Sequence, residues 1–338
     1  MKAIAAQNGR IFVTELEVPE PPPGHVLIRT EYSAVSPGTE MSMIRSSGER
    51  PVILGYSAVG IVERTGPGVD GIEAGKRLAC YGAPYVRHAE RLVVPVNLTA
   101  EVPERVDPRE AAFAGLGAIA IHALRTAQLQ FGESVIVVGL GILGHLIAQI
   151  AHAAAFRTAG LDVRAERAAK LRERGLRFVY TDPSELEREM AALTGQAGAD
   201  AVILCNSGPG EAIINRAMDW LRDRGKIVVV GDLAMSFSRA AMFAKEVQVL
   251  ISRAGGPGRY DAQYEKENRD YPIGYVRWTE GRNVGEFVRL LAEGRIAVGP
   301  LITHEVPLER ADEAYAHYSH GAPGTIGTLI RYGAEWQG

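Results

Sequence analysis

The sequence predicts an α/β protein of two domains: a β-rich domain built from two pieces of chain, and a doubly wound parallel sheet between them. Three observations carry this. Residues 1–100 hold short alternating strands punctuated by Gly and Pro. Residues 134–252 alternate apolar strands with helices of 3.6-residue spacing. At the start of that second stretch the run Ser134-Val135-Ile136-Val137-Val138 enters Gly139-Leu140-Gly141-Ile142-Leu143-Gly144. At 338 residues the chain has room for two domains. The expected bounds are 1–122 and 296–338 for the β-rich domain and 123–295 for the parallel-sheet domain.

In the first stretch, Val26-Leu27-Ile28-Arg29-Thr30 follows a Pro-Pro-Pro-Gly turn. Ser57 to Val62 leads into Gly66-Pro67-Gly68, and Arg91 to Pro95 reads as a further strand. From Asp107 the texture turns Ala-rich, with an apolar helix over Ala111–Leu124. In the second stretch, strands are expected at 178–180, 201–204, 227–230 and 247–251, with a helix over 212–221. A polar and aromatic excursion, 253–283, carries no clear periodicity, and a helix follows over 284–292. The last segment returns to strands around one helix.

The glycine run has the G-x-G-x-x-G spacing. Gly139 permits the tight turn, Gly141 lets backbone approach a pyrophosphate, and Gly144 lets helix and strand pack closely. The helix that follows, expected from His145 to about Ala155, offers free N–H groups to phosphates, and Ile142 and Leu143 in the turn before it are expected cofactor contacts. A second strand, 157–161, ends at Asp162, about 20 residues beyond the glycines, where a carboxylate can accept from an adenosine ribose diol. The expected cofactor is NAD. NADP is the alternative, because Arg164 and Arg167 stand nearby and arginine accepts a 2′-phosphate; Arg167 has adenine as its other expected partner.

Composition narrows the partners. Hydrophobic content is 46% and charged content 23%, with net charge −3, so nothing favours nucleic acid or an anionic membrane. Two cysteines, Cys80 and Cys205, cannot make a disulfide framework or a four-cysteine zinc site. No run of 18 apolar residues is present, and the N-terminal residues lack a signal-peptide pattern. A cytoplasmic protein is expected. Glu246–Ser252 reads as an edge strand suited to pairing two copies as a homodimer.

The order of parts resembles the medium-chain dehydrogenase/reductase superfamily. The landmarks are Leu54-Gly55-Tyr56-Ser57-Ala58-Val59-Gly60, Gly66-Pro67-Gly68-Val69, Gly75-Lys76-Arg77, Ile121-His122-Ala123-Leu124, the glycine run, and Gly225 to Gly231. The resemblance implies a GroES-like catalytic domain in two pieces around a Rossmann domain. It also implies that Gly231 borders the cofactor and that Ser252 and Arg253 lie beside the nicotinamide carboxamide. Zinc members carry Cys, His-Glu and Glu or Cys at places filled here by Ser36, Tyr56-Ser57 and about Gly115, and the cysteine-rich lobe is absent. Hydroxyls and a glycine are poor zinc ligands, so no zinc is expected. Ser33-Ala34-Val35-Ser36-Pro37-Gly38-Thr39-Glu40 resembles a zinc-free branch that includes threonine/polyol dehydrogenase-like and bacteriochlorophyllide hydroxyethyl dehydrogenase-like proteins.

Without a metal, a hydrogen-bond donor must serve the reacting oxygen. Tyr56 is the first candidate, with packing as its other reading. Glu40 can relay a proton or grip a substrate hydroxyl, or else be solvated or paired with Arg45. Ser36 and Thr39 can complete a relay or simply shape the Pro37-Gly38 turn. Tyr81, Tyr85 and His88 are expected in a loop that borders substrate, with His88 otherwise an ordinary surface histidine. Arg253, Arg259 and Arg277 sit among the excursion's tyrosines as possible partners of a polyhydroxylated ligand, and the other reading is a dimer contact. The expected function is hydride transfer between NAD and a secondary alcohol or ketone of a sugar, cyclitol or polyol. The alternatives are an NADPH-dependent enone or quinone reductase and a nucleotide-binding relative without turnover.

Overall fold

The computed structural model describes residues 1–195, 198–319, 322 and 324–333. The chain divides into two compact units: one takes Met1–Ala118 and the chain from Gly255 onward, the other takes Ile119–Ala254.

The first unit opens with strands β1 (Lys2–Gln7), β2 (Arg10–Glu15) and β3 (His25–Ala34), then helix α1 (Pro37–Ser46). Strands β4 (Val52–Ile53), β5 (Ser57–Thr65), β6 (Arg77–Tyr81), β7 (Arg91–Pro95) and β8 (Thr99–Glu101) follow, then α2 (Pro108–Ala111) and α3 (Ala114–Ala127), within which the boundary falls. The second unit holds β9 (Ser134–Val138), α4 (Ile142–Ala153), β10 (Arg157–Leu161), α5 (Ala165–Glu173), β11 (Phe178–Tyr180), α6 (Pro183–Thr194) and β12 (Ala199–Leu204). It continues through α7 (Glu211–Trp220), β13 (Leu221–Val229), α8 (Arg239–Ala244) and β14 (Gln248–Ile251). The chain then returns as α9 (Ala262–Glu265), α10 (Glu280–Ala292), β15 (Ile302–Pro307), α11 (Ala311–Ser319) and β16 (Gly327–Arg331).

Among the described residues, the second unit forms a six-stranded parallel sheet in the order β11-β10-β9-β12-β13-β14. The order reverses at β9, which is buried at every position and therefore central. Its register sets Val138 level with Leu161 of β10 and Leu204 of β12, so three strand ends surround the glycine turn. The core on one side of this sheet includes Ile136, Val202, Ile227, Met218 and Trp220.

The first unit carries the sheet path β15-β16-β3-β5-β6-β8, with β7 also pairing β3, and a smaller sheet β2-β1-β4. Strand β16 pairs antiparallel with β3, Leu329 opposite Ala34. The return of the chain is thus stitched beside the segment that leads into α1. One cluster, with Val26, Ala58, Leu78, Leu92 and Tyr264, fills the sheet interior; another, with Ile4, Val35, Leu54 and Tyr315, packs beneath α1 and α11.

Two expectations shift. Residues 255–295 were expected in the parallel-sheet domain but cluster with the first unit. The reason is packing: Tyr264 is buried in that unit's core, Asn97 Nδ2 donates to the Tyr264 carbonyl, and α10 lies against β6 and β8. The excursion also has structure of its own, including α9, and α10 begins four residues before the expected helix. Thr279 caps α10, its Oγ1 accepting from the Arg282 N–H and from the Tyr264 hydroxyl. No helix among the described residues is long and apolar enough to cross a membrane.

Candidate active site

In the second unit, the glycine turn follows from contacts of the protein with itself and from one contact it does not make. Gly139 has φ +88°, which strains any residue with a Cβ. A Cβ on Gly144 would lie 1.9 Å from the Gly139 carbonyl oxygen. A Cβ on Gly141 would meet nothing nearer than Arg167 Nη1 at 3.8 Å. Two glycines are therefore demanded by the turn, while the third leaves open space beside the start of α4, whose first turn has no side-chain cap. Open space against uncapped N–H groups fits a pyrophosphate. Ile142 is buried and Leu143 half-buried in that first turn.

Asp162 closes β10 and is buried. Its Oδ2 accepts the Leu140 N–H at 2.7 Å and its Oδ1 accepts the Arg164 N–H at 2.9 Å, with Arg167 Nη1 3.6 Å away. The carboxylate thus anchors the glycine turn and keeps further acceptor capacity on each oxygen. Gly231 follows β13 and donates its N–H to the Leu204 carbonyl at 3.0 Å. Ser252 is buried just past β14, and Arg253 is exposed. His145 is buried within α4, its Nε2 3.1 Å from the Arg167 carbonyl; burial lowers it to about 4, so it stays neutral.

In the first unit, a buried network gathers around Glu40. Ser36 precedes α1, and Glu40 in the first turn reaches back so that Oε1 accepts the Ser36 N–H at 2.8 Å, much as in a capping box. Glu40 Oε2 lies 2.8 Å from His88 Nε2 and accepts the Tyr315 hydroxyl at 2.5 Å. His88 Nδ1 is 2.6 Å from Ser33 Oγ, which is 2.7 Å from the Tyr332 hydroxyl. One proton arrangement satisfies every group: Nε2–H donates to Glu40, Nδ1 accepts from Ser33, and Ser33 accepts from Tyr332. Glu40, His88 and Ser33 have no exposed surface.

At the edge of this network the half-buried Tyr56 donates to Ser36 Oγ at 2.5 Å. Burial pushes the Tyr56 hydroxyl up to about 12, against the pull of its bond to Ser36. At neutral pH it holds its proton and serves as a donor, not a base. Thr39 is exposed, and its side chain, like that of Ser36, pulls against the rise at the Tyr56 hydroxyl.

The structure brings Tyr56, Ser36, Glu40 and His88 together and corrects several expectations. Glu40 is neither solvated nor paired with Arg45, and it has no surface with which to grip a substrate hydroxyl. It meets Tyr56 only through the main chain of Ser36, so it fixes that segment instead of passing a proton along it. His88 is not a surface-loop histidine. The Ser33–His88–Glu40 order has the spacing of a nucleophilic triad, but Ser33 is sealed from solvent. Tyr81 ends β6 instead of lying in a loop; it is buried, its hydroxyl accepts the Gly255 N–H at 2.9 Å, and its ring meets Tyr56 edge-on at 5.9 Å. Tyr85 is half-buried beside His25, with ring centroids 6.3 Å apart. Arg277 is exposed and lies over the Trp278 ring at 3.8 Å. Arg259 is drawn inward, paired with Glu265 and donating to the Ala83 carbonyl. Glu280, unremarked in the sequence, is fully buried and neither of its carboxyl oxygens meets a donor. Burial, then the charge of Glu265, pushes it up to about 9, so it is a neutral acid at pH 7.

The places of the expected zinc ligands do not fit the metal. Ser57 Oγ donates to the Ala112 carbonyl at 2.6 Å and accepts the Gly115 N–H at 2.9 Å. A Cβ at Gly115 would lie 2.7 Å from the Tyr81 ring and 2.8 Å from Ser57, so a longer ligand has no room there. Cys80 and Cys205 are free thiols, and burial pushes Cys205 up to about 12 and Cys80 higher. Among the described residues no three His, Cys, Asp or Glu side chains gather as a metal cluster.

Comparison with known proteins agrees with this architecture. The alcohol dehydrogenase GroES-like domain family matches residues 22–128, and the zinc-binding dehydrogenase family matches residues 143–267, which lie outside the places of the expected zinc ligands. A sorbitol dehydrogenase of Halalkalibacterium halodurans is 25% identical, over 93% of this chain and 95% of the relative. A 2-haloacrylate reductase of a Burkholderia species is 27% identical, over 64% of this chain and 68% of the relative. Among solved structures, galactitol-1-phosphate dehydrogenase from Escherichia coli superposes with a TM-score of 0.80 at 19% identity, over 98% of this chain and 100% of that one. With a GroES-like unit and a dinucleotide-type parallel sheet each matched to its own family, the chain belongs to the medium-chain dehydrogenase/reductase superfamily of nicotinamide-dependent oxidoreductases.

Proposed function

We propose that the protein is a zinc-independent, NAD-dependent dehydrogenase of a secondary alcohol on a polyol, sugar or cyclitol. The observation that carries this is the Tyr56–Ser36 hydroxyl pair, which stands where zinc members place ligands and is braced from behind by Glu40. When bound, the nicotinamide accepts or gives the hydride. The chain supplies the rest. Ser36 Oγ, already accepting from Tyr56, keeps its own proton free for a carbonyl oxygen. Tyr56 supports the charge that develops there. As an alcohol is oxidised, Tyr56 and Ser36 orient its hydroxyl as acceptor and donor. The alcohol's proton leaves towards solvent past Thr39, because Glu40 and His88 have no side-chain bond to this pair.

The sorbitol dehydrogenase likeness supports a polyol as the substrate class. The Asp162 carboxylate supports NAD over NADP, since a 2′-phosphate would meet its charge. The exposed edge of β14, with Ile251 and Phe243 open to solvent, supports pairing as a homodimer, and a cytoplasmic enzyme is the matching setting. A panel of sugars, cyclitols and polyols, read as NADH formation, tests the reaction; metal analysis of the active protein tests the zinc. Activity that tracks stoichiometric zinc would sink the metal-free reading. A second reading, reduction of an activated C=C bond, is favoured by the 2-haloacrylate reductase likeness. It predicts NADPH oxidation with enones and no turnover of polyols.

A further inference from the structure

We propose that Asn206 holds a ribose hydroxyl on the nicotinamide half of the bound dinucleotide. The proposal rests on the nicotinamide cofactor and not on any particular alcohol.

Asn206 was not among the residues singled out in the sequence. It lies two residues past β12, on the side of β9 away from β10. Cys205 still pairs with β9, donating its N–H to the Val138 carbonyl at 2.8 Å, so Asn206 is the first residue free of the ladder. Its backbone is held between two glycines. A Cβ on Gly231 would fall 1.9 Å from the Asn206 carbonyl oxygen, and a Cβ on Gly139 would fall 3.0 Å from its nitrogen. The main chain has little room to relax, yet its side-chain Oδ1 is buried with no hydrogen-bond partner. Ser252 Oγ, just past β14, is buried and unpartnered in the same way. A buried acceptor without a partner is costly, and in a native structure it calls for a group that completes it, such as a bound ligand.

Topology selects the ligand group. Asp162 flanks the glycine turn from the β10 side and Asn206 flanks it from the β12 side. A dinucleotide with its pyrophosphate at the turn and its adenosine ribose towards Asp162 carries its second nucleoside over β12 to β14. Oδ1 can only accept, so it needs a donor. The hydroxyls of that second ribose are donors within reach of a residue beside the turn. Ser252, two strands further on, is left for the carboxamide.

The test compares ADP-ribose, which carries the second ribose, with ADP, which lacks it. Dissociation constants of both, and of NADH, are measured by calorimetry on the full chain and on Asn206→Ala and Asn206→Asp. In Asn206→Ala, ADP-ribose and NADH should each weaken about tenfold while ADP changes less than twofold. Asn206→Asp keeps an acceptor, and its ratio of ADP-ribose to ADP affinity should stay within threefold of the parent. Equal weakening of ADP, or unchanged binding of ADP-ribose in Asn206→Ala, overturns the proposal. So does an Asp variant with the same lowered ratio as the Ala variant, which would mark a structural role. Parent protein that binds no NADH would sink the cofactor reading itself. Parent protein that binds NADH but turns over no polyol would sink only the substrate reading.

Discussion

Glu40 Oε1 accepts the main-chain N–H of Ser36 at 2.8 Å, so a carboxylate with no exposed surface fixes the residue whose hydroxyl accepts the Tyr56 hydrogen bond. Its other oxygen is the meeting point of His88 and Tyr315. Glu40→Leu would leave three donors buried without an acceptor, at about 1–3 kcal/mol each. The expected outcome is a loss of at least ~3 kcal/mol, seen as a lower urea midpoint. Glu40→Gln keeps one carbonyl acceptor and should lose less.

Tyr56→Phe removes one hydroxyl at the edge of this network and leaves Glu40 with all its partners. Positioned acid–base groups contribute roughly 10²–10⁴-fold. With an identified substrate, kcat should fall at least about 100-fold while NADH affinity and thermal stability stay near those of the parent. A variant with full kcat would return Tyr56 to a packing role.

The glycine turn separates two kinds of necessity. In Gly144→Ala the new methyl collides with the Gly139 carbonyl oxygen, so stability and NADH binding should fall together. In Gly141→Ala the methyl enters space that the protein leaves open. There the melting temperature should hold while NADH affinity drops, and calorimetry of the two variants side by side reads the difference.

Glu280 gives stability a pH dependence whose sign can be worked out. Its carboxyl has a folded pKa of about 9, raised first by burial and then by Glu265, against a usual carboxyl value of 4.5. Between those values the folded chain binds a proton that the unfolded chain has lost, so stability falls as pH rises. The slope is at most about 1.4 kcal/mol per pH unit. Glu280→Gln removes it. Melts from pH 5 to pH 8 should show the variant gaining steadily on the parent, and parallel curves would refute the buried neutral acid.

The parts of this protein legible in its sequence are those whose causes are local. Gly139 and Gly144 are dictated by backbone geometry within six residues, and β9 by a run of apolar side chains. That Ser36, Tyr56-Ser57 and Gly115 stand at the places of zinc ligands could be read because those ligands belong to named positions. His88 and Glu40 are 48 residues apart, and Tyr315 and Tyr332 lie 275 and 299 residues from their partners. No periodicity reports such pairs, so Glu40 was open between a relay, a substrate contact and a solvated acid, and the burial of His88 in its loop was invisible. Glu280 passed without remark for the same reason, since an acid inside a charged, aromatic stretch carries no local sign of burial. The second domain boundary was displaced because Tyr264, with Tyr271 stacked on it, packs into the core of the first unit.

The attachment of Tyr315 and Tyr332 to this network bears on how the chain is made. Glu40 leaves the ribosome 275 residues ahead of the hydroxyl that completes its shell. At typical rates of synthesis that is a delay of roughly 15–60 s. Through that interval the loop carrying Ser36 has its carboxylate but not its full set of donors. The nascent first unit therefore cannot be completed until the whole parallel-sheet segment, Ile119–Ala254, has been synthesised.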